Sequence, residues 1–195
     1  MFKNIRIINK YMNLKNNFLR KIEVNIRSLI LGLKNKEKNI LRKICLGKGA
    51  DIGCGSDKVC EEAIGVDLFV KGERGKYGSQ RNKVSVAEIK ASGDKLPFKN
   101  SELDYIVAKH NLEHYEDPKK TIKEWKRVLR VNGRIGVVVP DDKFVDTFKL
   151  DPTHKCKFDL QSLENLFKNN GFLIIEKGSA LKHWSIYLIA KKIKK

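Results

Sequence analysis

The fold is decided by a glycine-rich stretch, DIGCGS at residues 51–56, which overlaps the end of a short apolar segment at residues 49–52. An acidic residue and two glycines at the carboxyl end of a strand let a ligand approach the backbone closely. A dinucleotide site needs a third glycine where this chain has Lys58. Only seven residues, Ser56–Glu62, separate Gly55 from the next apolar segment. A crossover that contains a full helix needs at least about ten residues. The first crossover helix is therefore expected to be a turn or absent, which removes the helix N-terminus that a pyrophosphate requires.

Asp67 ends the second apolar segment, AIGVD at residues 63–67. A carboxylate at the end of a second strand can accept both hydroxyls of a ribose, or it can cap a turn. The two turn glycines likewise fit a plain tight turn. These features by themselves leave the ligand open.

From residue 48 onward, short apolar runs alternate with helical patterns, which predicts an α/β fold with a mostly parallel sheet and flanking helices. Two helices are predicted to begin after the N-cap residues Asp117 and Asp159 and to end at Gly133 and Gly171. The seven predicted strands lie at residues 49–52, 63–67, within 84–91, 103–108, 134–139, 172–176 and 186–190.

The composition is that of a basic protein with one domain: 195 residues, 41% of them hydrophobic, with a net charge of +18. Such a charge suits nucleic acid or an anionic membrane, but the excess is mostly lysine dispersed along the chain, so nucleic acid is possible and not favoured. The four cysteines lack zinc-site spacing and disulfide-scaffold density. We therefore expect reduced thiols, no metal site and a cytoplasmic location. No apolar stretch approaches the roughly 20 residues of a membrane span.

Residues 1–47 mix apolar side chains with Lys, Arg and Asn at roughly helical spacing. This pattern predicts a basic, amphipathic helical extension before a main domain at residues 48–195. The helices of the extension pack on that domain and cover its cleft, or rest on a membrane surface or a partner. The pattern does not decide between these alternatives.

Further motifs follow the glycine stretch in a set order. They are LPF at residues 96–98, LDYIV at 103–107, HNLEH at 110–114, Asp117-Pro118, VLRVNGR at 128–134 and VPD at 139–141. Together with residues 51–56 and Asp67 they resemble the class I methyltransferases that use S-adenosylmethionine (SAM), of the type called methyltransferase domain 11, over about residues 48–171. The resemblance implies a Rossmann-like sheet with an antiparallel last strand, SAM as cofactor and methyl transfer as the reaction.

The resemblance also implies roles by position: Asp51 and the Gly53 backbone for the methionine moiety, Asp67 for the ribose, and residues 92–96 for the adenine. The cofactor-binding residues implied in this way are Asp51, Gly53, Cys54, Gly55, Asp67, Leu68, Ser92, Gly93, Asp94, Leu96 and His110. This chain departs from the family where an aspartate commonly lies four residues before the LPF leucine. Ser92 holds that place, so either Asp94 substitutes through a shifted loop or the adenine contact is weaker.

Methyl transfer depends mainly on aligning the donor and the acceptor, and a hydroxyl acceptor also benefits from a general base. The candidate catalytic residues are His110, Glu113, His114 and, in the DPTH segment at residues 151–154, His154. Each of them can instead serve to orient its loop.

The methyl acceptor is less well defined by the sequence. The Asn/Asp-Pro-Pro-Tyr and Pro-Cys motifs of base methyltransferases are absent after the fourth strand, which disfavours nucleic-acid bases. We expect O- or N-methylation of a small-molecule, glycan or lipid-type acceptor. RNA methylation and a non-catalytic binding or scaffold protein are the alternatives.

Overall fold

The computed structural model describes residue 32, residues 35–76 and residues 80–194. The chain divides between Lys36 and Glu37 into two units, and the sheet belongs to the unit Glu37–Lys195. Apart from Gly32, the helices predicted before residue 35 lie outside the described residues. The predicted domain boundary between residues 47 and 48 stays a prediction.

In the described part of the chain, seven strands form one sheet in the order β3-β2-β1-β4-β5-β7-β6. They are β1 (Gly49–Ile52), β2 (Ile64–Asp67), β3 (Ile89–Lys90), β4 (Leu103–Lys109), β5 (Leu129–Pro140), β6 (Phe172–Leu181) and β7 (Ser185–Lys192). The first five strands pair in parallel, whereas β7 is antiparallel to both β5 and β6. The predicted Rossmann-like sheet with an antiparallel last strand is confirmed.

Four described helices accompany the sheet: α1 at residues 35–42, α2 (Pro118–Val128), α3 (Thr147–Leu150) and α4 (Leu160–Asn169). The Asp117 side chain accepts the Lys120 N–H at the start of α2. At the start of α4, Asp159 and Ser162 cap each other reciprocally. These caps satisfy N–H groups that have no partner inside the helix, and both predicted helix starts are confirmed.

The predicted end of α2 at Gly133 is wrong. The helix ends at Val128, and Leu129 is already extended, with φ −72° and ψ 136°. Leu129 is fully buried and pairs with Leu103 of β4, so burial draws the chain into the sheet directly after the helix. Gly133 instead lies within β5, where an added Cβ would stand 2.8 Å from the Arg130 carbonyl oxygen.

The connection between β1 and β2, at residues 53–63, contains turns and bends and no helix, as its length predicts. The backbone N–H groups of Gly53 and Cys54 both donate hydrogen bonds to the Val66 carbonyl of β2. Lys58 lies at the place of the missing third glycine. Its ammonium group donates hydrogen bonds to the Ala63 carbonyl and to the Glu88 carboxylate. The hydrogen bonds of Lys58 therefore hold this connection together at the place where a dinucleotide-binding fold would begin a helix.

Helices cover both faces of the sheet. One face packs against α2 and α4, where Trp125, Leu163 and Phe167 are fully buried. The other face packs against Leu41 at the end of α1 and Ile44 just after it. Burying such side chains contributes roughly 1.5–3 kcal/mol each, so the segment just before β1 adds to the stability of the sheet. Among the described helices, none has the length and apolar character needed to cross a membrane.

Candidate functional site

The predicted site residues gather at one edge of the sheet. Strands β1, β2 and β4 are parallel, so their carboxyl ends lie side by side, which is where open α/β sheets bind ligands. The glycine turn follows β1, Asp67 ends β2 and His110 follows β4. The backbone N–H of His110 donates to the Val138 carbonyl of β5 and fixes the loop after β4 to the neighbouring strand.

The glycine turn is tied directly to Asp67. Gly53 and Gly55 have φ values of 72° and 55°, in the left-handed region that favours glycine. The Gly55 N–H donates to Asp67 Oδ2 at 2.9 Å, and the Phe69 N–H donates to Oδ1 at 3.2 Å. Each carboxylate oxygen can accept a further hydrogen bond, so Asp67 is able to hold hydroxyls as well. Leu68, beside it, is exposed.

Asn111 and Tyr115 connect this turn to the predicted adenine segment, and the sequence reasoning missed both. A Cβ on Gly53 would overlap the side-chain amide of Asn111. The Tyr115 hydroxyl donates to Asn111 Oδ1 at 3.0 Å and accepts the Gly93 N–H at 3.1 Å. The Trp125 indole N–H donates to the Gly93 carbonyl. The only sequence signal for this network was a polar residue inside the HNLEH motif.

The predicted adenine residues are held in different ways. The Ser92 hydroxyl donates to Asp94 Oδ1 at 2.6 Å and Lys120 of α2 binds Oδ2 at 3.0 Å. These two hydrogen bonds lower the pKa of Asp94. Leu96 is buried in the core, and its N–H donates to Glu124 of α2. The segment is thus anchored to α2 through Asp94 and Leu96.

Asp51 is 1% exposed, and its Oδ2 accepts the Val59 N–H at 2.6 Å. Burial raises the pKa of Asp51 to about 7, although the hydrogen bond and the charge of Lys109 oppose the rise. Asp51 therefore supports the glycine turn from the buried side of β1. Cys54 is buried as well, and burial raises the pKa of its thiol, which suits a packing residue rather than a reactive thiolate.

Gln80 also reaches the glycine turn, and no sequence pattern pointed to it. Its Oε1 accepts both the N–H and the hydroxyl of Ser56, at 3.2 and 3.1 Å. A Cβ on Gly55 would contact the Gln80 amide at 2.6 Å. The Gln80 side chain therefore lies against the glycine turn.

His110 lies between two carboxylates. Its Nε2 is 3.1 Å from Glu37 Oε1, and its Nδ1 is 3.6 Å from Glu113 Oε1. Burial alone lowers the histidine pKa, but the two carboxylates outweigh it and raise the pKa to about 9. Glu37, which no motif marked, also accepts the Ser185 hydroxyl at 2.6 Å. His110 itself has a left-handed backbone conformation, with φ 51°.

The other three candidate catalytic residues, Glu113, His114 and His154, come together. One ligand atom from each lies within 4.8 Å of the others. The rings of His114 and His154 meet edge to face at a centroid distance of 4.7 Å. Within the described residues, neither oxygen of the buried Glu113 carboxylate has a hydrogen-bond partner. Two imidazoles and one carboxylate therefore share a pocket at the carboxyl ends of β4 and β5.

Comparisons with known proteins agree with this architecture. A family model described as methyltransferase domain matches residues 50–137. The uncharacterized protein MJ1123 of Methanocaldococcus jannaschii is 32% identical over 158 residues, which cover 79% of this chain and 71% of that protein. The uncharacterized methyltransferase YcgJ of Bacillus subtilis is 25% identical over 138 residues, covering 62% of this chain and 54% of that protein.

Solved structures share the fold. The crystal structure of YcgJ superposes with a TM-score of 0.61 at 16% identity, covering 82% of this chain and 99% of that one. A SAM-dependent methyltransferase from Archaeoglobus fulgidus superposes with a TM-score of 0.58 at 19% identity, covering 80% and 92%. The matched family model includes the glycine turn, Asp67 and the HNLEH segment, and it ends before His154.

Proposed function

The chain belongs to the class I SAM-dependent methyltransferases of the methyltransferase domain 11 type, and we propose that it methylates an oxygen or nitrogen of a small-molecule, glycan or lipid-type acceptor. SAM is its cofactor. The observation that carries the site proposal is the hydrogen bond from the Gly55 N–H to Asp67, which brings the two most characteristic elements of the family into one turn.

The residues present fit this cofactor. Gly53 and Gly55 adopt left-handed backbone conformations that turn the chain sharply after β1, and the Asp67 carboxylate retains capacity for ribose hydroxyls. In this proposal the Gly53 backbone, supported by Asp51 and Cys54, faces the methionine moiety. Leu68 and the segment of residues 92–96 border the adenine. Because SAM brings an already activated methyl group, the protein acts mainly by positioning the reactants and excluding water.

The acceptor is proposed to lie near the loop after β4. His110, Glu113, His114 and His154 are the candidate catalytic side chains of this proposal, and the proximity of the last three to one another supports it. A small or glycan-type acceptor is favoured because residues 109–112 read Lys-His-Asn-Leu and lack the Pro-Pro-Tyr that holds an exocyclic base amine. The cytoplasmic location inferred from the free thiols belongs to the same proposal.

RNA is the second candidate acceptor, and the net charge of +18 favours it. A basic protein that binds RNA through phosphate contacts loses affinity steeply as salt rises. A scaffold without activity is less well supported, because Asp51, Gly53, Gly55 and Asp67 are all present. Fold by itself does not establish activity, so the acceptor has to be found by experiment.

The test is a screen of the full chain with SAM against metabolite, glycan, lipid and RNA acceptors, with S-adenosylhomocysteine formation as the readout. We expect turnover with a small-molecule, glycan or lipid acceptor. Turnover confined to RNA, with retention that weakens as salt rises, would favour the second candidate. The absence of SAM binding in calorimetry would contradict both.

A further inference from the structure

The carboxylate of Glu113 is buried without a hydrogen-bond partner among the described residues. The 3-10 turn Leu112–His114 points this side chain inward, where it is 1% exposed. Neither oxygen has a hydrogen-bond partner among the described residues. His110 Nδ1, at 3.6 Å, is too distant for a hydrogen bond and contributes a nearby charge. His110 thus supplies one nearby charge, but both carboxylate oxygens still lack a hydrogen bond within the described part of the chain, and buried polar atoms are almost always hydrogen-bonded or bound to metal, so these oxygens have capacity for a further ligand.

The contacts of His154 fix the tautomer of its neutral imidazole. Its Nδ1 lies 2.9 Å from the Thr147 carbonyl oxygen. A carbonyl only accepts, so Nδ1 carries the proton of the neutral imidazole. The lone pair is then on Nε2, which lies 3.9 Å from Glu113 Oε1. That nitrogen is therefore the one that can bind a metal ion.

The same tautomer of His114 is fixed by two successive hydrogen bonds, through Thr153 to Asp151. Its Nδ1 is 3.1 Å from Thr153 Oγ1, which donates its own proton to Asp151 Oδ1 at 2.6 Å. Thr153 therefore accepts from His114, so the proton of the neutral imidazole is on Nδ1 and the Nε2 lone pair is available. A ligating histidine typically donates its second N–H to an outer acceptor of this kind, which fixes the tautomer and the ring orientation.

The cluster is also prearranged by the backbone. The N–H groups of Lys155 and Cys156 both donate to the Glu113 carbonyl, at 2.8 and 3.2 Å. These bonds hold the loop that carries His154 against the 3-10 turn. Ligand atoms around a tetrahedral ion with bonds of about 2.0–2.2 Å are roughly 3.4 Å apart, so the observed spread of up to 4.8 Å requires only a small contraction.

We propose that Glu113, His114 and His154 bind one divalent transition-metal ion. Two imidazole nitrogens and one carboxylate favour zinc, cobalt or iron over magnesium or calcium, which prefer oxygen ligands. Three protein ligands leave a coordination position for water or an acceptor group. The site departs from the expectation, drawn from cysteine spacing, that the protein has no metal site. It is independent of the acceptor proposed above, since metal binding is measured without SAM or acceptor.

The experiment uses the full chain, free of any affinity tag and stripped with a chelator, and titrates it with Co²⁺ while recording visible absorption. We expect one Co²⁺ per chain, with d–d bands and no thiolate charge-transfer band, and displacement by Zn²⁺ but not by excess Mg²⁺. A thiolate band would place the ion on a cysteine and overturn the assignment. Displacement by Mg²⁺ at matched concentration would overturn the class of metal.

Variants locate the ion. His114→Gln and His154→Gln should each weaken Co²⁺ binding at least about tenfold. Thr153→Val removes the nearer of two outer acceptors and leaves the backbone carbonyl of residue 153, 3.4 Å from His114 Nδ1, so it should weaken binding by about tenfold. The matched control is His183→Gln, because His183 is an exposed histidine outside the cluster. Equal binding by the control and by both ligand variants would contradict the proposal.

Glu113→Gln separates a metal ligand from a structural residue. Without metal, its thermal midpoint should equal or fall below that of the parent, because the charge 3.6 Å from His110 Nδ1 is removed. Zn²⁺ should raise the midpoint of the parent and leave that of the variant unchanged, since an ion stabilises only the protein that binds it. A variant that Zn²⁺ stabilises as much as the parent would remove Glu113 from the site.

Discussion

The carboxylate of Asp67 accepts the backbone N–H of Gly55 at 2.9 Å, which joins the end of β2 to the turn after β1. The same carboxylate also accepts the Phe69 N–H. Asp67 thus shapes the glycine turn before any ligand arrives. A side chain that is already oriented loses little rotational freedom on binding, so affinity depends on it more than on a mobile side chain.

Replacing Asp67 with alanine should weaken SAM binding at least about tenfold, because charge-assisted hydrogen bonds to the ribose and to the turn are both lost. Isothermal titration measures the change. Glu61→Ala is the matched control, since it also removes an acidic side chain, from an exposed position. Unchanged SAM affinity in Asp67→Ala would remove this residue from the proposed site.

Gly53→Ala should reduce SAM affinity sharply, because its Cβ would overlap the Asn111 amide and disturb the network that runs through Tyr115 to Gly93. Gly72→Ala is the control. Gly72 also has a positive φ, of 92°, but no atom lies within 4 Å of its added Cβ. Both variants carry about 1–2 kcal/mol of backbone strain. Gly72→Ala therefore shows the effect of strain alone, and the additional loss of stability and of SAM affinity in Gly53→Ala measures the overlap with Asn111. An equal loss of SAM affinity in the two would contradict the packing argument.

Asp51 should make the unliganded protein less stable as pH rises. Its folded pKa of about 7 lies above the value of about 3.9 in an unfolded chain. Between these values the folded state holds a proton that the unfolded state has released, so the free energy of unfolding falls from about pH 4 to about pH 7.

Asp51→Asn removes this titration. At about pH 8 it should be more stable than the parent, by an amount on the order of a few kcal/mol at most, and the advantage should shrink toward pH 4. Urea denaturation at several pH values measures it. A difference between variant and parent that does not change with pH would contradict the assignment.

Glu37→Gln should lower the free energy of unfolding by roughly 2–3 kcal/mol, because it removes the charge that pairs with His110 while the Ser185 hydroxyl stays buried. Glu176→Gln is the matched control. Glu176 pairs with Lys43 at the exposed surface, where such pairs contribute less than about 1 kcal/mol. Chemical denaturation at neutral pH compares them, and equal losses would show that burial does not strengthen the Glu37 contact.

Several elements were predictable because their signals are local. The short connection at residues 53–63 excluded a helix by length alone, and Asp117 and Asp159 marked helix starts through side chains that bond to their own first turns. The end of α2 was not predictable in this way. Gly133 looks like a helix terminator, but the burial of Leu129 against β4 ends the helix earlier.

The sequence by itself determined the family, the order of its motifs and the place of the glycine turn, since these depend on residues close together in the chain. Only the tertiary structure decided which side chains share a pocket. Glu37 meets His110 across 73 residues, and Thr153 meets His114 across 39. Such contacts depend on how neighbouring strands align their carboxyl ends and how loops fold back over them. The spacing of residues along the chain does not encode that packing. The sequence alone therefore did not show that Glu113, His114 and His154 lie together.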